Sequence, residues 1–219
     1  MTVVEPRLTV ERRLLKERSI VIACDEVGRG ALAGPVAVGA AAIDAARARK
    51  RVPQGLRDSK LVPELRRPEV AQRAATWVGA HAVGWASAAE IDEVGIMRAL
   101  GLAALRAIDV LRDAGFVPDD AIVILDGNYD YIRPAGGTDL TVRTVIKADR
   151  DCASAAAASV IAKVARDAHM VELHDRHPQY EWVRNKGYAS PDHREAIRAY
   201  GLSPFHRASW AIGDAPTLF

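Results

Sequence analysis

Apolar positions fall into short runs separated by charged and by glycine- or proline-bearing stretches. "SIVIAC" (19–24) is apolar almost throughout and predicts a buried strand that closes on Asp25 and Glu26. "PVAVGAAAI" (35–43) fits either a second strand with Gly39 as a bulge or an alanine-rich helix; its periodicity supports both. "HAVGWAS" (81–87) alternates as a half-buried strand does, and "AIVILDG" (121–127) is another buried strand, ending in Asp126. "LTVRTVIKAD" (140–149) alternates through Leu140, Val142 and Val145 before reaching Asp149.

Between these runs the period changes to that of a helix. Residues 7–18 predict a short charged helix and residues 64–80 a longer one. From Ile96 to Ala114, Met97, Leu100, Ala104, Ile108 and Leu111 share one face, and Gly115 ends the helix. "CASAAAASVIAKVARDAHMVELHD" (152–175) predicts a long helix whose alanines allow close approach to a sheet. Residues 44–60 read as a loop ending in "LRDSK"; beyond His177-Pro178 come an irregular "NKGYASPDH" and a short helix to Tyr200. Strands and helices mix throughout, without repeat, low-complexity block or linker, so an α/β fold in a single domain is expected.

Composition narrows the class. The 219 residues are 49% hydrophobic and 26% charged, as a packed core requires, and no apolar run approaches the roughly 20 residues of a membrane span. The N-terminus mixes both signs of charge and does not read as a secretory signal. Cys24 and Cys152 sit in apolar or alanine-rich surroundings without metal-type spacing, as buried thiols of a reducing cytoplasm would. A net charge of +2 permits a nucleic-acid partner without demanding one.

The acids carry the chemistry. Three buried strands are expected to end in them: Asp25-Glu26, Asp126 and Asp149. Carboxylates converging at strand C-terminal edges repel one another unless cations lie between them, and hard divalent ions prefer such oxygen ligands. Taken singly, each acid could cap a strand or begin a turn. The glycines that follow, Gly28, Gly30 and Gly34, offer a rival dinucleotide-binding reading. Their spacing departs from that fingerprint, and two carboxylates beside a pyrophosphate oppose it.

Six blocks together resemble bacterial ribonuclease HII: "DEVGRGALAGPVAVGAA", "LRDSK", "VILDGN", "IKADRDCASAAAASVIAKVARD", "HPQYEWVRNKGY" and "GLSPFHRASW". They occur in the family's order from about residue 20 to 211. The resemblance implies an RNase H-like fold, a mixed β-sheet flanked by helices, with residues about 178–219 forming a small C-terminal helical extension that binds substrate. It implies endonucleolytic cleavage of RNA in RNA/DNA hybrids and at single ribonucleotides in duplex DNA. Its metal ligands would be Asp25, Glu26, Asp126 and Asp149, holding Mn²⁺ or Mg²⁺, two ions with substrate bound. The Gly28-Arg29-Gly30 turn would meet the ribose beside the scissile phosphate, and Tyr188 the sugar across the RNA-to-DNA junction, with Lys186 of the same "NKGY" a further substrate-binding residue. A 2′-hydroxyl, both donor and acceptor, is what backbone groups of such a turn could read. This chain departs from the family at Arg57, Leu61, Ala208 and Trp210.

Other residues have two readings each. Arg29 lies between glycines beside the acids, where a phosphate contact competes with a plain surface charge. Ser59 and Lys60 suit backbone-phosphate binding or a helix start. Lys163 and Arg166 suit substrate binding or the solvated edge of a helix, and Lys147 could balance the acids. His206, Arg207 and Ser209 suit a phosphate grip or a domain corner; Trp77, Trp85 and Trp182 read as core. The tail "DAPTLF" loosely resembles peptides that dock on the bacterial sliding clamp, against a frayed terminus. A junction resolvase on the same fold would lack the Gly-Arg-Gly and Lys-Gly-Tyr segments, and a non-catalytic hybrid-binding protein would have lost an acid.

Overall fold

A computed structural model describes residues 5–117 and 119–210. Strands β1 (Ile20–Val27), β2 (Val36–Asp44), β3 (Ala80–Ala86), β4 (Ile122–Asp126) and β5 (Thr141–Val145) form one sheet in the order β3-β2-β1-β4-β5. β1, β2 and β3 pair antiparallel, while β4 and β5 join parallel to β1. The sheet is therefore mixed. On one face lie α2 (Arg67–Trp77) and the 24-residue α6 (Ala153–Arg176); on the other lies α4 (Ile96–Asp113), preceded by α3 (Ala88–Val94). A charged α1 (Thr9–Leu14) precedes the sheet. α5 (Ala148–Asp151), α7 (Trp182–Asn185) and α8 (Pro191–Tyr200) complete the α-helices among the described residues.

Strand alternation sorts the core. Val21 and Ala23 of β1 join Ile122 and Ile124 of β4 beneath α6, whereas Ile22, Cys24, Val123 and Leu125 pack beneath α4. The α4 face holds Leu100, Ala104, Ile108 and Leu111 buried, and Gly115, at φ +80°, terminates the helix. Both cysteines are buried and free. A third apolar cluster, containing Leu32, Met170, Leu173, Tyr180, Trp182 and Ile197, sits under the C-terminal helices.

Several expectations need correction. "PVAVGAAAI" is a strand, and Gly39 is no bulge, because the β1–β2 register runs through Asp25↔Gly39 without an extra residue. A Cβ at Gly39 would lie 2.3 Å from the Ala158 carbonyl oxygen, so this glycine lets α6 lie against the sheet. Asp25 and Glu26 do not close β1; they belong to it, and the strand continues to Val27. β5 is a largely exposed edge strand rather than a buried one, and Asp149 lies beyond it on the single turn of α5.

Candidate active site

Parallel pairing sets Cys24 opposite Leu125, so Asp25 and Asp126 follow side by side at the C-terminal ends of the two central strands. By alternation both face the α6 side. Asp126 is fixed from beyond β5: its Oδ1 accepts the Ala148 amide at 2.5 Å and the Asp149 amide at 3.3 Å. Lys147 makes that approach feasible by adopting the left-handed conformation, φ 61°, where α5 begins. Asp126 at the end of β4 and Asp149 on α5 are thus tied together through backbone.

Asp25 is buried, and desolvation, opposed by a Ser159 hydrogen bond and reinforced by Glu26, Asp126 and Asp149, raises its pKa well above the carboxylate range. Desolvation, then Asp126 and Asp58, raises that of Asp149 to about 6. Lys60 supplies a countercharge, its Nζ 3.8 Å from Asp149 and 4.0 Å from Asp58. Desolvation works against that ammonium, but Asp58, Asp25, Asp149 and Asp126 outweigh it and raise its pKa. The cluster is over-charged and only partly compensated.

Glu26 follows Asp25 along the strand and therefore starts toward the opposite face. Its Oε2 accepts a hydrogen bond from the Tyr131 hydroxyl at 3.3 Å, and its Oε1 lies 3.4 Å from the Arg29 guanidinium. Among the described residues no three acidic, histidine or cysteine side chains are already drawn closely enough to enclose an ion. The donor set nevertheless fits a hard divalent cation: oxygen ligands only, mutual repulsion, and two members held toward the protonated state.

The glycine turn and the Lys-Gly-Tyr loop form one backbone unit. Leu32 and Ala33 amides donate to the Gly187 carbonyl at 2.8 and 3.2 Å. Gly28, at φ +83°, packs so tightly that a Cβ would fall 2.0 Å from Arg166 Nε, whereas a Cβ at Gly30 would meet nothing within 4 Å. The turn therefore has a sealed side and an open one. Lys186 adopts the left-handed conformation, and its ammonium lies 3.3 Å from Glu64. Half-buried Tyr188 holds its ring near both Lys163 and Arg166, 5.8 and 5.4 Å from its centroid.

Two buried arginines hold this unit from behind. Arg166 donates to the carbonyls of Pro35, Lys186 and Ala33, and Arg207 to those of Gly28, Arg29 and Gly34. Neither reading of Arg166 holds, since it is fully buried: it is no solvated edge, and its donors face protein carbonyls. Arg207 likewise cannot grip a phosphate from the surface, and Trp210 covers it with its ring centroid 4.8 Å away. His206 is buried too, bonded to Ser203 and to His193; His193 also accepts the Trp182 indole N–H. Ser209 is exposed but engaged with Asp92, which also accepts the Ala208 amide.

Of the remaining candidates, Ser59 is buried and paired with Ser159, so it seats Lys60 rather than facing solvent. Lys163 pairs with Asp167 at 2.6 Å. Arg29 and Lys60 are exposed beside the acids. Trp77 and Trp182 are core, and Trp85 is half-buried. Sequence reasoning missed Tyr131 and Ser159, because a lone tyrosine or serine carries no spacing signal.

The Ribonuclease HII family profile matches residues 22–212. A ribonuclease HII of Streptomyces avermitilis is 48% identical over 212 residues, covering 96% of this chain and 85% of that protein. The RNase HII in a PCNA complex from Archaeoglobus fulgidus superposes with a TM-score of 0.69 at 26% identity, covering 87% of this chain and 95% of that one. Bst-RNase HIII, solved with Mn²⁺, gives a TM-score of 0.74 at 24% identity, covering 95% and 71% respectively.

Proposed function

The chain belongs to the ribonuclease HII family, an RNase H-type hydrolase, and we propose that it cuts RNA/DNA hybrids and single ribonucleotides in duplex DNA by two-metal hydrolysis. The observation that carries the mechanism is the convergence of Asp25, Asp126 and Asp149 at one sheet edge, with Asp25 and Asp149 held toward protonation by burial and mutual repulsion. With Glu26 they would hold Mn²⁺ or Mg²⁺, which would offset the acids' charge and polarise the phosphodiester.

The protein's own groups do the rest. The open side of Gly28-Arg29-Gly30 would face the ribose, with backbone donors and acceptors for its 2′-hydroxyl. Tyr188, tied to that turn through Gly187, would pack on the following deoxyribose. Arg29 and Lys60 would meet the phosphates flanking the break. The Lys163, Lys186 and Ser59 side chains are spent on protein partners and serve placement. A sliding-clamp contact through "DAPTLF" accords with the PCNA complex of the Archaeoglobus protein; that tail lies outside the described residues.

The test is a DNA duplex carrying one ribonucleotide, incubated with and without Mn²⁺ or Mg²⁺. Cleavage is expected only with metal, 5′ to the ribonucleotide, leaving a 3′-hydroxyl and a 5′-phosphate. Asp126→Asn should abolish it while leaving metal-free thermal stability equal or higher. A 2′,3′-cyclic phosphate would show the ribose hydroxyl to be the nucleophile and end the two-metal reading.

A further inference from the structure

Glu26 is the acid that the strand's alternation sends away from Asp25 and Asp126, so something must hold its carboxylate at the shared edge. Exposed Arg29 lies 3.4 Å from one oxygen, and the buried side chain there is Tyr131, with its hydroxyl 3.3 Å from Glu26 Oε2. The loop that presents it is built to stay in place. Asp130 Oδ1 accepts the amides of Ile132 and Arg133, and Asp130 Oδ2 accepts Arg133 Nε. Gly137 closes the loop by donating to the Ile132 carbonyl.

The support continues into α4. A Cβ at Gly101 would fall 2.2 Å from the Tyr131 carbonyl oxygen and 2.3 Å from Ala135 Cβ. That helix therefore carries a glycine where this loop rests on it, which sets how deeply the Tyr131 ring sits. The ring is buried and a carboxylate oxygen only accepts, so the tyrosine hydroxyl is the donor in this contact.

We propose that Tyr131 is a positioning residue that orients Glu26 from behind for metal binding, using the Gly101–Tyr131 contact as its base. The proposal rests on the metal-site reading above. A carboxylate that must ligate from the opposite face loses rotational freedom when one oxygen is anchored, and such supporting hydrogen bonds commonly govern affinity and activity 10- to 100-fold.

The experiment is calorimetric titration of Mn²⁺ into the whole protein, wild type and Tyr131→Phe, with single-ribonucleotide cleavage measured alongside. Tyr131→Phe keeps the ring and its packing, so its melting temperature should stay near that of the wild type. Mn²⁺ affinity should fall about tenfold, with kcat reduced and the substrate KM nearly unchanged. In a Glu26→Gln background the same substitution should have no further effect on Mn²⁺ affinity, because the carboxylate it orients is gone. Wild-type Mn²⁺ affinity in Tyr131→Phe would overturn the proposal while leaving the metal site standing. Absence of Mn²⁺ binding by the wild type would overturn the metal-site reading and this inference with it.

Discussion

Arg207 directs its guanidinium at three carbonyls of the glycine turn, and that commitment decides what its loss would do. Burial, and then the nearby Arg166 charge, lowers its pKa to about 9, a measure of how far it lies from water. Lysine cannot reproduce the fork, so Arg207→Lys should cost about 2–3 kcal/mol of stability by leaving carbonyls unpaired. It should leave the salt dependence of substrate KM unchanged. Arg29→Ala or Lys60→Ala should instead lower the slope of log KM against log salt by about one, as each lost phosphate contact releases fewer counterions. An unchanged slope in those two and a reduced one in Arg207→Lys would exchange the roles of the exposed and buried cations. The sequence shows an arginine in "HRASW" but not its direction: burial is set by a chain segment more than 170 residues away. Asp25, Glu26 and Asp126 were legible for the opposite reason, since each sits at the end of a strand whose apolar run announces it. The same strand's alternation sends the neighbouring Asp25 and Glu26 to different faces.

At the level of elements, α6 must lie close on β1 and β2, because Ser159 reaches both Asp25 and the Ser59 turn from it. Its run of alanines made that approach legible in sequence; the matching glycine on the strand did not look like part of it. Gly39→Ala should push the Ala158 carbonyl away and cost about 2–3 kcal/mol, an overpacking penalty within a rigid interface. Cleavage should fall with it. Gly30→Ala is the instructive contrast, since its Cβ would enter open space: melting should be nearly unchanged while activity drops, if substrate sugar occupies that space. Paired melting and cleavage curves for the two variants separate a glycine kept for packing from one kept for approach. The misreading of Asp149 as a strand end has a similar origin. Its run alternates like a strand, yet β5 is a short exposed edge, and the turn that carries Asp149 is made by the positive φ of Lys147, a residue type that gives no notice of it.

Over the whole molecule, the acidic cluster and the C-terminal histidine pair respond to protons with opposite sign. At the C-terminal end, burial, then His193, pushes the His206 pKa down from 6.5 to about 3, and burial lowers that of His193 as well. The unfolded chain therefore binds more protons than the folded one below about 6.5, so this contribution to stability is complete above that pH and is lost as pH falls toward about 3. At the acidic cluster the Asp149 pKa is raised from 3.8 to about 6, so its contribution is complete below 3.8 and lost as pH rises through about 6. Between those limits the two partly cancel. Urea-unfolding midpoints at pH 7, 5.5 and 4 should accordingly fall only modestly in the wild type without metal. Asp149→Asn removes part of the opposing contribution, leaving that of Asp25, whose pKa is also raised, so the same titration should show a steeper acid loss, bounded by about 1.4 kcal/mol per pH unit for each histidine proton. His206→Gln should flatten it again. Because His193 Nδ1 bonds the Tyr188 carbonyl, the histidine pair that sets this acid limit also holds the tyrosine loop in place, 2.8 Å away. An Asp149→Asn protein with no steeper acid loss than the wild type would show that the acidic cluster does not oppose the histidine pair.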